Sequence, residues 1–210
     1  IYSAYNGRER GIILLNPIAG IPPKVPDLIS TLHRTGSLDG QDFWRRQVDW
    51  IVDAEQTHTA FPILTYFPEA DRNPSWVASI GVILDAAALI VSASEAQPSR
   101  VLADEETGPL MALVYGAAAI DRIARAANVP LPPTVGIVEI TSRSGGEPPP
   151  ISVTRDEYHT TLAAIAPIIG FETGREDEGW HRFAWIRSTY DQPLRALAGI
   201  ARGAPAPWTT

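Results

Sequence analysis

The segment 76–93, WVASIGVILDAAALIVSA, limits the fold more than any other stretch of this chain. A helix with one apolar stripe can lie on a core, but one that is apolar nearly all round must be enclosed by protein or by lipid. Its length reaches the lower limit for crossing a bilayer. Asp85, however, stands at its middle. A central acid costs about 3 kcal/mol on membrane-insertion scales, whereas a core helix can give the carboxylate a partner. The segment therefore reads as a buried helix of a soluble domain, wrapped by the remaining elements.

Those elements are mostly helical by pattern. The N-terminal IYSAYNGRERG reads as a helix end, IILLN as a short β-prone run, and PIAGIPPKVP as a proline-rich connection. Pro26 fits a first helical position, which predicts a helix over 26–35 that stops at Gly36. Asp39, with Asp42 three residues on, is placed to cap the next helix, which runs to residue 59. Phe43, Gln47, Trp50, Ile51, Ala54 and His58 form its apolar stripe. Pro62 ends that helix, PILTYF adds one further turn, and PEADRNP is a turn by composition. Helical spacing returns over 108–128, with the acids at 104–106 near its start and Asn128 and Pro130 as stops. A β-like run at 135–140 precedes a Gly/Pro/Ser-rich loop, and the whole of 129–153 reads as an insertion or mobile loop. Thr154 and Glu157 form a capping box. The helix behind them breaks near Pro167 and ends at Gly170. A last helix starts in Glu176–Glu178, and Phe183, Ile186, Tyr190, Leu194, Leu197 and Ile200 keep one phase through Pro193, as in a bent helix. The expected fold is mostly α: a bundle of about six helices with a short β-like segment and a flexible Gly/Pro-rich loop.

The 210 residues carry a net charge of −7, which argues against a nucleic-acid partner and against an anionic lipid surface. The absence of cysteine removes thiol chemistry and disulfides. No Gly-x-Ser-x-Gly elbow, dinucleotide fingerprint or P-loop occurs. Three acid-x-x-His pairs stand out: Glu55/His58, Asp156/His159 and Glu178/His181. In dimetal-carboxylate bundles such pairs hold iron or manganese, so Glu55, His58, His159, Glu178 and His181 form an alternative metal-binding reading. Against it, Asp156 and Glu178 lie in first helical turns, where acids are favoured without any metal. His58, Tyr66, Asp85 and Asp121 are the remaining binding candidates, with a core histidine and structural polar links as the plainer interpretation. A third reading is a ligand pocket lined by Trp44, Trp50, Tyr66 and Tyr115. No residue is assigned a catalytic role and no cofactor is expected.

Three segments, taken in order, resemble the cytosolic C-terminal region of a bacterial family of two-transmembrane ion-channel or potassium-channel proteins. The first is YNGRERGIILLNPIAGIPP, with Arg8, Glu9, Leu14, Leu15, Ala19, Gly20, Pro22 and Pro23 in place, and with Asn16 and Ile21 where the family has aspartate and serine. The second is Thr57, His58, Phe61, Pro62, Leu64, Tyr66 and Phe67, then Asn73, Ser75 and Trp76, then Leu84, Asp85 and Ala86. The third is Tyr190, Leu194, Ala196, Leu197, Pro207 and Trp208. The resemblance implies a juxtamembrane linker at 1–25 that follows a pore module, and a helical cytosolic domain at 26–210. It implies a regulatory or assembly role without catalysis, at the cytoplasmic side of the cell membrane. The upstream transmembrane pore module of the same chain would be its partner, and self-association into a homo-oligomer would follow from pore symmetry. The start at Ile1, with Arg8 and Arg10 close behind, fits a soluble fragment that begins beyond a pore helix.

Overall fold

Eight α-helices and one 3₁₀ turn make up the regular structure of the described residues: α1 (Tyr2–Ala19), α2 (Val25–Arg34), α3 (Gln41–Ala60), the 3₁₀ turn (Pro62–Tyr66), α4 (Trp76–Glu95), α5 (Gly108–Ala126), α6 (Arg155–Ile169), α7 (Glu176–Ser188) and α8 (Asp191–Ile200). The computed structural model describes residues 2–38, 40–67, 75–95, 108–134, 136–137, 146–171 and 174–201.

Helix α4 is the axis of the bundle. It packs against α1, α2, α5, α6, α7 and α8, while α3 lies outside it and makes its most extensive contact with α5. Ile80, Val82, Ile83, Leu84, Ala86, Ala87, Ala88 and Leu89 are wholly buried. By length and composition this helix could cross a membrane, yet 94% of its apolar window is enclosed by the protein itself. At about 1.5–3 kcal/mol for each large apolar side chain removed from water, this enclosure is the main drive to fold.

Several helix ends follow from local chemistry. Thr154 and Glu157 make the reciprocal capping box, and Gly170 closes α6 in the left-handed conformation. Asn128 takes φ 60°, and Val129 N–H donates back to the Ala124 carbonyl, which satisfies the end of α5. The 3₁₀ turn after Pro62 is the extra turn expected there. Asp39, the acids at 104–106 and the PEADRNP stretch fall outside the described residues; α3 begins at Gln41, with Gly40 at its N-cap and no side-chain cap.

Other expectations are corrected. IILLN is not extended but lies inside α1, because Arg8, Ile12, Leu15 and Ala19 form one buried stripe at helical spacing and tertiary packing overrides β propensity. Residues 2–19 are thus a helix built into the core. Helix α6 runs through Pro167 without a break; the carbonyl this proline leaves unbonded belongs to Ala163, which is exposed to solvent. The predicted bent helix at the end is two helices. Pro193 cannot donate to the carbonyl of Thr189, so Thr189 and Tyr190 N–H turn to Ile186 and Arg187, and α8 restarts with Leu194 N–H on Tyr190. Its buried phase still holds from Phe183 to Leu197, while Ile200 is half-buried.

Of the β-like run at 135–140, only Gly136 and Ile137 are described. Ile137 is helical and buried, and no strand exists among the described residues with which it could pair. Described residues of 129–153 make hydrogen bonds to the bundle. Arg125 donates to Leu131 and Pro132 carbonyls, His181 Nε2 lies 2.7 Å from the Gly146 carbonyl, and Ser152 bonds Asp191.

Helices α1 and α3 approach closely at Gly11, where an added Cβ would lie inside the indole of Trp50 on α3. Gly11→Ala gains about 1 kcal/mol of helix propensity but overpacks a rigid ring, which costs about 1–3 kcal/mol. Urea denaturation should therefore show a net loss of stability; a variant as stable as the parent would show that α1 and α3 are not held this closely.

Candidate functional site

Three polar clusters hold the chemistry of this fold, and they differ in how far their groups are already committed.

The first lies at the joint between α3, the 3₁₀ turn and α4. His58 is buried at the last turn of α3, where Nδ1 sits 2.7 Å from the Ala54 carbonyl and so carries the proton. Its ring stacks on Trp76, with centroids 4.7 Å apart. Nε2 has no hydrogen-bond partner among the described residues. Arg8 crosses from α1 and donates to the carbonyls of Leu64 (3.1 Å) and Phe67 (3.4 Å), capping the turn, and to Glu9 Oε1 (3.1 Å). Burial first, then the charge of Arg8, pull the His58 pKa down to about 4, against the opposing pull of the Ala54 carbonyl. A neutral imidazole stacked in a sealed joint is a structural element. It is the hydrogen-bonded core histidine that the sequence allowed.

The second cluster is buried beneath α4. Asp85 Oδ1 accepts from Arg187 Nη1 at 2.6 Å and from the Tyr190 hydroxyl at 2.8 Å. Arg187 also pairs with Asp191 at 3.1 Å, and Asp191 accepts from the Ser152 backbone and hydroxyl at 3.2 and 2.5 Å. Burial alone would lower the Arg187 pKa, but Asp85, Tyr190 and Asp191 reverse this and hold the guanidinium above its ordinary range. Burial and the neighbouring Asp85 charge raise the Tyr190 hydroxyl well above its own, so it stays protonated and donates. Arg187 and Tyr190 thus supply the partners that a buried Asp85 requires. Arg187 was not anticipated, although a legible signal existed: it stands on the apolar stripe of α7, with an acid four residues on.

The third cluster lies on the outer side of α5. Asp121 pairs with Arg125 in a bidentate bridge of 2.8 and 3.0 Å, as the sequence allowed. Arg122 grips Glu55 of α3 through Nε and, at 2.7 Å, Nη2. Hydrogen bonding to Glu55 raises the Arg122 pKa, and bonding to Asp121 raises that of Arg125. Both guanidinium side chains remain about half exposed. Asp121 and Arg122 line a cleft of about 240 Å³ with Val114, Ala117, Ala118, Thr134, Gly136, Ile137 and Thr189. Sequence reasoning missed this cleft, because the small residues of α5 read as core.

The metal-binding alternative is not assembled. Glu55 is engaged by Arg122, His58 by Ala54, His159 by Arg155, His181 by Gly146 and Glu178 by Arg175. No group of three or more histidine and acidic residues able to hold a metal occurs among the described residues. The aromatic pocket is dispersed as well. Trp44 is buried and donates to the Leu38 carbonyl, Trp50 is buried against Gly11, Tyr66 is exposed with its hydroxyl 3.3 Å from the Ala127 carbonyl, and Tyr115 is exposed.

Two measurements follow. Arg187→Met leaves two buried carboxylates without their counter-charge, so the urea midpoint should fall by the equivalent of about 3–5 kcal/mol; a variant as stable as the parent would remove the network from any structural role. His58 is depressed from 6.5 to about 4 in the fold, so the unfolded chain binds the extra proton between these values. Its contribution is full above pH 6.5 and is lost progressively as pH falls to about 4, by up to ~3 kcal/mol. His58→Gln should remove this part of the acid slope, and identical slopes for the two proteins would contradict the assignment.

Comparison with protein-family models, with curated proteins and with solved structures gives no match to this chain.

Proposed function

We propose that the chain is a non-catalytic helical domain that regulates or assembles a bacterial potassium-channel-like membrane protein from the cytoplasmic side, with a transmembrane pore module of the same polypeptide as its partner. One observation carries this reading. The three segments that resemble the channel family are far apart in sequence, and the buried polar contacts join them to one another. Arg8 of the first segment caps the turn of the second through Leu64 and Phe67. Tyr190 of the third donates to Asp85 of the second. The motif residues are thus those on which the domain's tertiary structure turns, as expected if the resemblance reflects a common fold rather than chance composition.

The surface supports an assembly role. Ile13, Leu14 and Ile21 are more than half exposed along the outer side of α1 and just past its end, and Phe61, Ile63, Tyr66 and Phe67 are exposed around the 3₁₀ corner. Exposed apolar groups of this kind fit contact with a membrane module or with sister domains arranged by the rotational symmetry of a pore.

The test is the complete polypeptide encoded by the gene. It should contain two apolar spans flanking a Thr-x-Gly-(Tyr or Phe)-Gly filter, partition with membranes, and pass potassium in reconstituted liposomes, with gating altered when residues 26–210 are deleted. A polypeptide that lacks spanning segments and stays in the soluble fraction would end this reading.

A further inference from the structure

We propose that the cleft on the outer side of α5 binds a free α-amino acid with a small apolar side chain. This goes beyond the assembly role proposed above and does not depend on it.

Val114, Ala117, Ala118, Asp121 and Arg122 follow one another at helical spacing and form one wall of the cleft, with Thr134, Gly136, Ile137 and Thr189 as the other lining groups. The wall changes character along its length. Val114, Ala117 and Ala118 are apolar and mostly small, which keeps the floor open. Asp121 and Arg122 follow Ala118 after about 4.5 Å along the axis, at 1.5 Å per residue, and present a carboxylate and a guanidinium in adjacent positions.

Neither charge is free to wander. Asp121 is held by Arg125, and Arg122 by Glu55. Two acids and two guanidiniums sum to zero, which selects the ligand. A net anion would meet Asp121 and Glu55, and a net cation would meet Arg122 and Arg125. A zwitterion matches both signs at once. Arg122 directs only Nε and Nη2 at Glu55, so Nη1 can meet the ligand carboxylate, and the Asp121 oxygens retain lone pairs for the ammonium. The side chain then lies along Val114, Ala117 and Ala118. A cavity volume of about 240 Å³ admits a small aliphatic amino acid and little more.

The same ion cluster secures the opposite wall. Arg125, which holds Asp121, also donates to the carbonyls of Leu131 and Pro132, just before Thr134. Occupancy of the cleft therefore tightens the 129–134 segment against α5, and heat stability reports binding.

Calorimetric titration and thermal shift of the 210-residue protein with L-alanine, L-valine and L-leucine, each also as its N-acetyl and carboxamide derivative, test the inference. At least one free amino acid should bind saturably with Kd below about 1 mM and raise the Tm, and each derivative should bind at least roughly ten-fold more weakly. Ala118→Leu should abolish binding by filling the floor. Arg122→Gln, on the solvent side, should weaken the free acid and leave the carboxamide unchanged, and it serves if the leucine variant misfolds. No saturable binding up to about 10 mM, equal binding of the blocked derivatives, or binding indifferent to Arg122→Gln would each overturn it.

Discussion

A buried acid midway along a largely apolar axis sets the arrangement of this bundle. Without Asp85, helix α4 would present nearly equivalent apolar faces, and many rotations and registers would bury it comparably well. The carboxylate breaks this degeneracy. Only an arrangement that brings Arg187 and the Tyr190 hydroxyl against it avoids a bare charge in the core. The requirement passes outward: Arg187 pairs with Asp191, and Asp191 captures Ser152 in the segment leading into α6. One demand for a counter-charge thus fixes α4, α7, α8 and the start of α6 relative to one another. An apolar replacement of the whole network could match its stability. What such a core would lack is the preference for one register.

The joint between α3, the 3₁₀ turn and α4 works by a different balance. Arg8 is buried, but its guanidinium lies against the Leu64 and Phe67 carbonyls at the end of a 3₁₀ turn, where the Leu64 oxygen accepts from both Arg8 and the Phe67 N–H. Glu9, its neighbour in the chain, balances the charge. His58 meets the same environment with its proton on Nδ1, bonded within its own helix. Ionising the imidazole so close to Arg8 would add a second cation to a sealed space, and the ring therefore enters the fold neutral. Aromatic stacking on Trp76 then fills the corner without asking for a further polar partner.

How much of this could be read in advance depended on distance along the chain. The burial of α4, the need of Asp85 for a partner, the capping box at Thr154 and the structural role of His58 are local properties, and composition or spacing reveals them. The identity of the partner is not local, since Arg187 lies 102 residues beyond Asp85. IILLN misleads because a short apolar run has no period of its own; only when Arg8 and Ala19 are included does the stripe show a helical interval. The break at Thr189 was encoded by Pro193 four residues on, but the apolar phase from Phe183 to Leu197 runs across it and masks it. The cleft was least legible. Alanines on a helix face look the same in sequence whether a neighbour fills the space above them or leaves it open.

The placement of charge divides the molecule into parts that can and cannot respond to a ligand. In the buried network, Asp85 and Arg187 are enclosed with their counter-groups, and any newcomer would have to replace a charge-assisted bond in a medium where unpaired ions are costly. On the outer side of α5 the pairing is equally specific but the guanidiniums are half exposed. Water already competes for their remaining donors, so a ligand exchanges solvent rather than protein partners, and the ion pairs persist as a fixed template. Thr189 links the two regions: it lines the cleft, and it directly precedes Tyr190, whose hydroxyl reaches Asp85. A change of occupancy at the surface would reach the joint between α7 and α8 through Thr189, where Pro193 interrupts the helical bonding of the backbone.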